Sequence, residues 1–155
     1  MKIFVSYSTP DLALVYKITE HVRLHGEVFF WDKDKNPGAE SWPTIFSWID
    51  QADLVLALIT EKTLSRAMSV GQEIGRAKAK EKIIIPLVGP DVRASELGFL
   101  SGITYQQIRP DNPSPTLKNI ERVILARKEK LEQGKALFIV GGVIALFALI
   151  LSSDK

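Results

Sequence analysis

The chain has 155 residues, 46% of them hydrophobic and 25% charged, which is typical of one globular domain. Its net charge of +2 argues against nucleic acid as the main partner, because phosphate binding requires a concentrated basic face. The absence of cysteine excludes disulfides, thiolate catalysis and cysteine-based zinc sites. His21 and His25 have no third ligand placed nearby, so the sequence predicts no metal site and gives little support to a Ser-His-Asp hydrolase.

Predicted strands and helices alternate along most of the chain. The first helix, capped by Thr9 or Asp11, is expected to end at Gly26, the second begins at Ser41, and the third spans about 65–80. A last helix follows the loop at 109–115. The pattern predicts an α/β fold, a flavodoxin-like doubly wound five-stranded parallel sheet. The five predicted strands are 2–6, 27–31, 53–60, 82–88 and 103–108.

Ligands of such sheets bind at the carboxyl ends of the strands. Here that edge would consist of residues 7–11, the loop 32–40 and the start of the 65–80 helix. Neither glycine signature for phosphate binding, that of the Rossmann fold or that of the P-loop, is present. A phospho-accepting receiver domain needs a carboxylate at the end of the third strand, whereas Asp53 stands at its start.

Glu73 is the remaining candidate for chemistry at this edge. It lies in the third predicted helix beside Gly71, Gly75 and Ala77, small residues that leave room for a ligand or for close packing. By spacing alone, a single glutamate on an amphipathic helix is usually a solvated charge. The helical pattern by itself therefore leaves both interpretations of Glu73 open.

The C-terminal stretch is strongly apolar. Residues 136–151 form sixteen consecutive uncharged positions, and the span from 134 to 153 would cover about 30 Å as a helix. A buried core helix usually keeps a polar face, which this stretch lacks, so a transmembrane helix at 136–152 is predicted. The expected organisation is a core domain at 1–115, a juxtamembrane helix at 116–135 and this single span. Basic residues outnumber acidic ones just before the span, which predicts a cytoplasmic N-terminal domain.

Several segments resemble the Toll/interleukin-1 receptor (TIR) domain family. The segment IFVSYSTPD resembles its first strand, and VFFWDKDKNPGAESWPTIFSWIDQADLVLALIT resembles its second strand, BB loop, second helix and third strand. The segment TLSRAMSVGQEIGRAKAK, followed by IIIPLV, resembles the helix that carries an acidic residue and the fourth strand. The resemblance covers about residues 1–108 and implies the TIR fold.

The resemblance also implies an activity. Bacterial and some eukaryotic TIR domains cleave NAD+ at the nicotinamide–ribose bond with a glutamate on this helix, and Glu73 occupies the matching position. NAD+ would then be the substrate, with no cofactor and no metal. Catalytic members often carry a tryptophan four residues before the glutamate, where this chain has Ser69. The other implied substrate-binding residues come from the first-strand loop and from or beside the BB loop: Ser6, Tyr7, Ser8, Asp34, Lys35 and Trp42.

Two functions follow as hypotheses from the resemblance. The first is a bacterial-type, membrane-anchored enzyme that hydrolyses or cyclises NAD+ in prokaryotic antiviral defence or cell-death signalling. The second is a non-catalytic TIR–TIR adaptor, an alternative that Ser69 keeps open. In both, the loop 32–40 would mediate self-association or contact with other TIR domains, and residues 136–152 would contact the lipid bilayer. A nucleoside deoxyribosyltransferase, with a related sheet and a catalytic glutamate, is a more distant third interpretation.

Overall fold

The structure is a computed structural model that describes the chain apart from residues 36, 65, 66 and 153–155. The side chains at positions 33, 64, 67 and 136–152 also lie outside this description. The chain divides into two compact units, Met1–Asn119 and Ile120–Lys155. The division predicted at 115 and 135 stays a prediction.

Five parallel strands form the sheet of the first unit. They are β1 (Lys2–Ser6), β2 (Glu27–Phe29), β3 (Leu54–Ile59), β4 (Ile83–Val88) and β5 (Gln106–Gln107). Their order is β2-β1-β3-β4-β5, the arrangement of flavodoxin-like sheets, which confirms the predicted α/β class. The two edge strands are shorter than predicted, since each pairs with a single neighbour. The central strand β3 is buried throughout, as its apolar run indicated.

The helices of the chain are α1 (Leu12–Val22), α2 (Ser41–Gln51), α3 (Glu61–Leu64), α4 (Ala67–Ala79) and α5 (Ser114–Ser152). The predicted 65–80 helix thus corresponds to α4. Asp11 occupies the N-cap position of α1, as predicted. Its side chain forms no capping hydrogen bond, because the carboxylate accepts a hydrogen bond from Thr60 instead.

Helices α2 and α4 pack on the same face of the sheet. Ile45 and Ile49 of α2 share one apolar cluster with Phe4, Val55 and the Ala77 methyl group of α4. A second cluster joins α4 to the carboxyl halves of β3 and β4 through Val70, Ile74, Ala57, Ile59 and Val88. Because both helices cover one face, the N-terminal end of α2 and the middle of α4 both lie next to the end of β1.

The predicted transmembrane helix at 136–152 falls within the C-terminal part of α5. Its backbone is helical, and its side chains lie outside the description. Across the part of the chain that was described, no helix is long and apolar enough to cross a bilayer.

Candidate functional site

A cavity of about 310 Å³ opens at the carboxyl edge of the sheet, where the ends of β1 and β2 meet α2 and α4. This volume is at the small end of the range of ligand pockets. The lining combines aromatic side chains, hydroxyl groups and one carboxyl group. The residues are Phe4, Val5, Tyr7, Ser8, Thr9, Trp31, Ser41, Trp42, Ile45, Ser69, Val70 and Glu73.

The carboxyl group of Glu73 is buried in the wall of this cavity. The residue is only 7% exposed, so the structure decides against the solvated-charge interpretation. Burial raises the pKa of Glu73 to about 7, an effect that the nearby Ser6 hydroxyl partly offsets. Yet Glu73 Oε2 and Ser6 Oγ form no geometrically acceptable hydrogen bond with any described residue. A buried oxygen without a partner is costly, and a ligand that supplies a donor or a positive charge would relieve that cost.

The wall of the cavity contains few ionisable groups. Among the described lining residues, only Glu73 and Tyr7 have ionisable side chains. Desolvation raises the pKa of Tyr7, which keeps that phenol neutral. The described residues hold no group of three or more histidine, aspartate or glutamate side chains suited to a metal. The wall therefore favours a flat, neutral or cationic ligand group.

The aromatic walls of the cavity are held by contacts with one another and with residues behind the lining. The Tyr7 hydroxyl donates a hydrogen bond to the carbonyl oxygen of Trp31, which links the end of β1 to the end of β2. The Trp31 ring lies 6.2 Å from that of Trp48, and the Trp42 ring lies 5.3 Å from that of Phe46. Each tryptophan thus packs partly on the core and presents its remaining surface to the cavity.

A bidentate ion pair connects α2 and α4, the two helices that line the cavity. The Arg76 guanidinium donates to both carboxylate oxygens of Asp50, at 2.8 and 2.6 Å. Arg76 also stacks over the Phe46 ring at 5.4 Å. This bidentate geometry lowers the pKa of Asp50 and joins the end of α2 to α4, one turn beyond Glu73.

The predicted site residues divide into two groups. The structure brings Tyr7, Ser8, Trp42, Ser69 and Glu73 together around the cavity. Ser6 is buried beside them at the end of β1 but is not part of the lining. The exposed residues Asp34 and Lys35 also lie outside the lining, and their contact with substrate stays a prediction.

The sequence analysis did not assign seven of the lining residues to the site. They are Phe4, Val5, Thr9, Trp31, Ser41, Ile45 and Val70. Two of these, Trp31 and Ser41, had a signal in the sequence. Trp31 follows β2 at the edge where ligands bind, and Ser41 is the first residue of α2 after the loop 32–40. The open space beside Gly71 and Gly75 shows that neither glycine is needed for close packing.

The loop 32–40 is anchored at its beginning. Asp32 is 4% exposed and accepts hydrogen bonds from the Tyr16 hydroxyl at 2.6 Å and from the Asp34 amide at 3.1 Å. The Tyr16 hydrogen bond is the main cause that lowers the pKa of Asp32. Farther on, Gly38 adopts a φ of +76°, the left-handed conformation that glycine favours. This loop is therefore held at Asp32 and exposed from Asp34 onward, where Asn36 lies outside the description.

Comparison with known protein families gives a match to the TIR domain over residues 3–124, well over half of the chain. The chain belongs to the TIR domain family. No curated protein matches it. The TIR domain therefore spans all five strands and the first four helices, and the cavity described above belongs to it.

Solved structures with the same fold include receptors and enzymes. This TIR domain chain is similar to a metazoan TIR-STING receptor from C. gigas in complex with 2′,3′-cGAMP, with a TM-score of 0.62 and 18% identity. The match covers 81% of this chain and only 38% of the receptor. It is also similar to the CMP N-glycosidase BcmB of Clostridium botulinum (TM-score 0.56, 17% identity, 79% of this chain, 99% of that one).

A third similar structure is a 2-deoxyribosyltransferase from Bacillus psychrosaccharolyticus. Its TM-score is 0.53 with 18% identity, and the match covers 68% of this chain and 85% of that one. Likenesses at these identities show the fold alone. They confirm the TIR-type α/β sheet.

Proposed function

We propose that this TIR domain cleaves the bond between nicotinamide and ribose in NAD+, with Glu73 as the catalytic residue. One observation carries the proposal: a buried carboxyl group, whose Oε2 has no hydrogen-bond partner among the described residues, faces a cavity with aromatic walls. The positive nicotinamide ring and the ribose hydroxyls supply the charge and the donors that this carboxyl group lacks. Since the cavity is small, it takes the nicotinamide–ribose half of the dinucleotide.

The proposed reaction requires electrostatic stabilisation more than acid catalysis. The bond between C1′ and the ring nitrogen breaks, and both electrons go to the nitrogen, so nicotinamide leaves as a neutral molecule. Positive charge develops on the ribose as an oxocarbenium-like state, which the Glu73 carboxylate stabilises. Water then adds to C1′ and releases a proton, which gives ADP-ribose; attack by an adenine nitrogen gives a cyclic isomer instead.

The pKa of about 7 for Glu73 suits this role. Near neutral pH the carboxyl group is divided between the protonated and ionised forms in the empty site. A cationic ligand beside it favours the ionised form, because an opposite charge lowers the pKa of a carboxyl group. Binding of the substrate would thus help to create the charge that the reaction uses.

The proposal extends to the setting of the enzyme. The apolar stretch 136–152 would anchor the chain in a bilayer as a single-pass span, with the TIR domain in the cytoplasm. The loop 32–40, exposed from Asp34 onward, would mediate self-association or contact with other TIR domains. The biological role would be that of a bacterial-type TIR protein in antiviral defence or cell-death signalling.

The test is nicotinamide release from NAD+ by purified protein, with products identified by mass spectrometry. Glu73→Gln keeps the shape of the side chain and removes its charge, so we expect a loss of about 10²- to 10³-fold in rate. Glu20→Gln is the matched control, because Glu20 is exposed on α1 and away from the cavity. Equal rates for the wild type and Glu73→Gln would overturn the assignment.

An adaptor without catalytic activity is the second candidate function. The observation that favours it is Ser69, which lies exposed at the cavity and offers no aromatic face to a substrate. In that case wild-type protein would release no nicotinamide, and binding to other TIR domains would be unaffected by Glu73→Gln.

A further inference from the structure

Two tyrosines from different elements hold consecutive residues at the end of β2. The Tyr7 hydroxyl, after β1, donates to the Trp31 carbonyl, while the Tyr16 hydroxyl, on α1, donates to Asp32 Oδ2 at 2.6 Å. Both tyrosine rings also meet the Phe30 ring edge-on, with centroids 6.2 and 5.6 Å away. Residues 30–32 are therefore held by contacts to two separate elements.

Tyr16 differs from Tyr7 in its relation to the cavity. Tyr7 and Trp31 line the cavity, whereas Tyr16 is 39% exposed and is not part of the lining. Tyr16 reaches the cavity wall indirectly, through its hydrogen bond to Asp32, which follows Trp31, and through its ring contact with Phe30, which precedes it. The Lys35 ammonium lies 5.4 Å from the centre of the Tyr16 ring and 3.7 Å from Asp32 Oδ2, so it reinforces the same contact.

We propose that Tyr16 is a positioning residue, whose hydrogen bond to Asp32 sets the place of Trp31 in the wall of the candidate site. The link to NAD+ cleavage rests on the function proposed above, whereas the effect on Trp31 does not. Without the hydroxyl, the buried Asp32 carboxylate loses one of the hydrogen bonds that hold it, so we expect the carboxylate and the adjoining Trp31 backbone to shift toward another donor.

The first experiment measures the position of Trp31 without any ligand. The full chain has three tryptophans, Trp31, Trp42 and Trp48, and fluorotryptophan labelling gives one fluorine NMR signal for each. Single Trp→Phe variants assign the signals. We expect Tyr16→Phe to shift or broaden the Trp31 signal and to leave the Trp42 signal in place.

The matched control is Tyr105→Phe, because Tyr105 is also 39% exposed and does not line the cavity. A Trp31 signal that moves no more in Tyr16→Phe than in Tyr105→Phe would overturn the proposal. If Tyr16→Phe fails to fold, Asp32→Ala removes the acceptor of the same hydrogen bond. An unchanged Trp31 signal in that variant would overturn the proposal as well.

The second experiment links the contact to activity. We expect Tyr16→Phe to raise the KM for NAD+ about three- to tenfold and to leave kcat within about twofold, since Tyr16 positions a wall and does not touch the reacting atoms. A double-mutant cycle with Asp32→Ala should be strongly non-additive. If the wild type releases no nicotinamide, the proposed function fails, and the fluorine signals still decide the role of Tyr16.

Discussion

The hydroxyl of Thr60 donates a 2.7 Å hydrogen bond to the carboxylate of Asp11, a residue 49 positions earlier in the chain. Both residues are buried. Desolvation raises the pKa of Asp11, and the Thr60 hydroxyl and the Lys62 ammonium oppose that effect. The Asp11 amide also donates a hydrogen bond to the carbonyl oxygen of Ser8 at 2.8 Å. Asp11 is therefore bonded both to Thr60 and to the turn that carries Ser8, a residue of the cavity wall.

We expect Thr60→Val to lower the free energy of unfolding by roughly 2 kcal/mol, because a buried carboxylate loses the donor of its 2.7 Å hydrogen bond. Valine has nearly the same shape as threonine, so packing changes little. Urea denaturation measures the effect, and Thr104→Val, at an exposed threonine, is the control. Equal destabilisation by the two substitutions would contradict a special role for the Thr60 hydroxyl.

Glu73→Gln should stabilise the protein at neutral and alkaline pH. The pKa of Glu73 is about 7 in the folded protein and 4.5 ordinarily, so the folded state holds a proton that the unfolded chain releases between these values. The free energy of unfolding therefore falls as the pH rises from 4.5 to about 7, by up to roughly 3 kcal/mol in total. Glutamine does not ionise, so Glu73→Gln avoids this loss of stability.

Thermal unfolding across pH checks this expectation. Glu73→Gln should raise the Tm above pH 7 and have little effect near pH 4.5, where the carboxyl group is largely protonated. Glu20→Gln should leave the Tm unchanged at every pH. A Glu73→Gln variant that is both less active and more stable would identify Glu73 as a residue kept for function at a cost to stability.

The rate of nicotinamide release should rise with pH over the same range in which the free energy of unfolding falls. The reaction uses ionised Glu73, so kcat/KM for NAD+ should rise as the pH passes upward through about 7. The small residual activity of Glu73→Gln should lack this rise. A profile that is flat through neutral pH in the wild type would show that another group limits the reaction.

A tryptophan at position 69 should strengthen substrate binding. Ser69 lies exposed at the cavity, so Ser69→Trp places an aromatic face at the rim without displacing core side chains. Aromatic stacking contributes about 0.5–1.5 kcal/mol, which corresponds to a KM for NAD+ about two- to tenfold lower. Met68→Trp is the control, because Met68 is 79% exposed on the same helix and does not line the cavity. The same fall in KM in both variants would indicate nonspecific contact.

Removal of the C-terminal apolar stretch should make activity depend on concentration. If TIR domains assemble to act, a chain that ends at Leu131 should gain specific activity steeply with concentration. Full-length protein in liposomes should respond to surface density, because anchoring raises the effective concentration. Specific activity that is constant across concentrations in the truncated chain would contradict this coupling.

The sequence by itself determined the fold. Its alternation of apolar strands with amphipathic helices predicted the five-stranded sheet, and the nearly continuous apolar run at 53–60 predicted the buried β3. Such patterns are readable because burial imposes a period of two on strands and 3.6 on helices. The family resemblance implied a catalytic role for Glu73 and named four more of the residues that line the cavity.

Only the tertiary structure decided what surrounds those residues. That Glu73 is buried, with no hydrogen-bond partner for Oε2 among the described residues, depends on how α4 packs beside β1, and helical spacing carries no such information. The bonds from Thr60 to Asp11 and from Tyr16 to Asp32 join residues far apart in the chain, and polar pairs of this kind leave no periodic trace. Asp11, expected as a helix cap, shows the reason: a side chain's partner is set by which groups folding brings within reach.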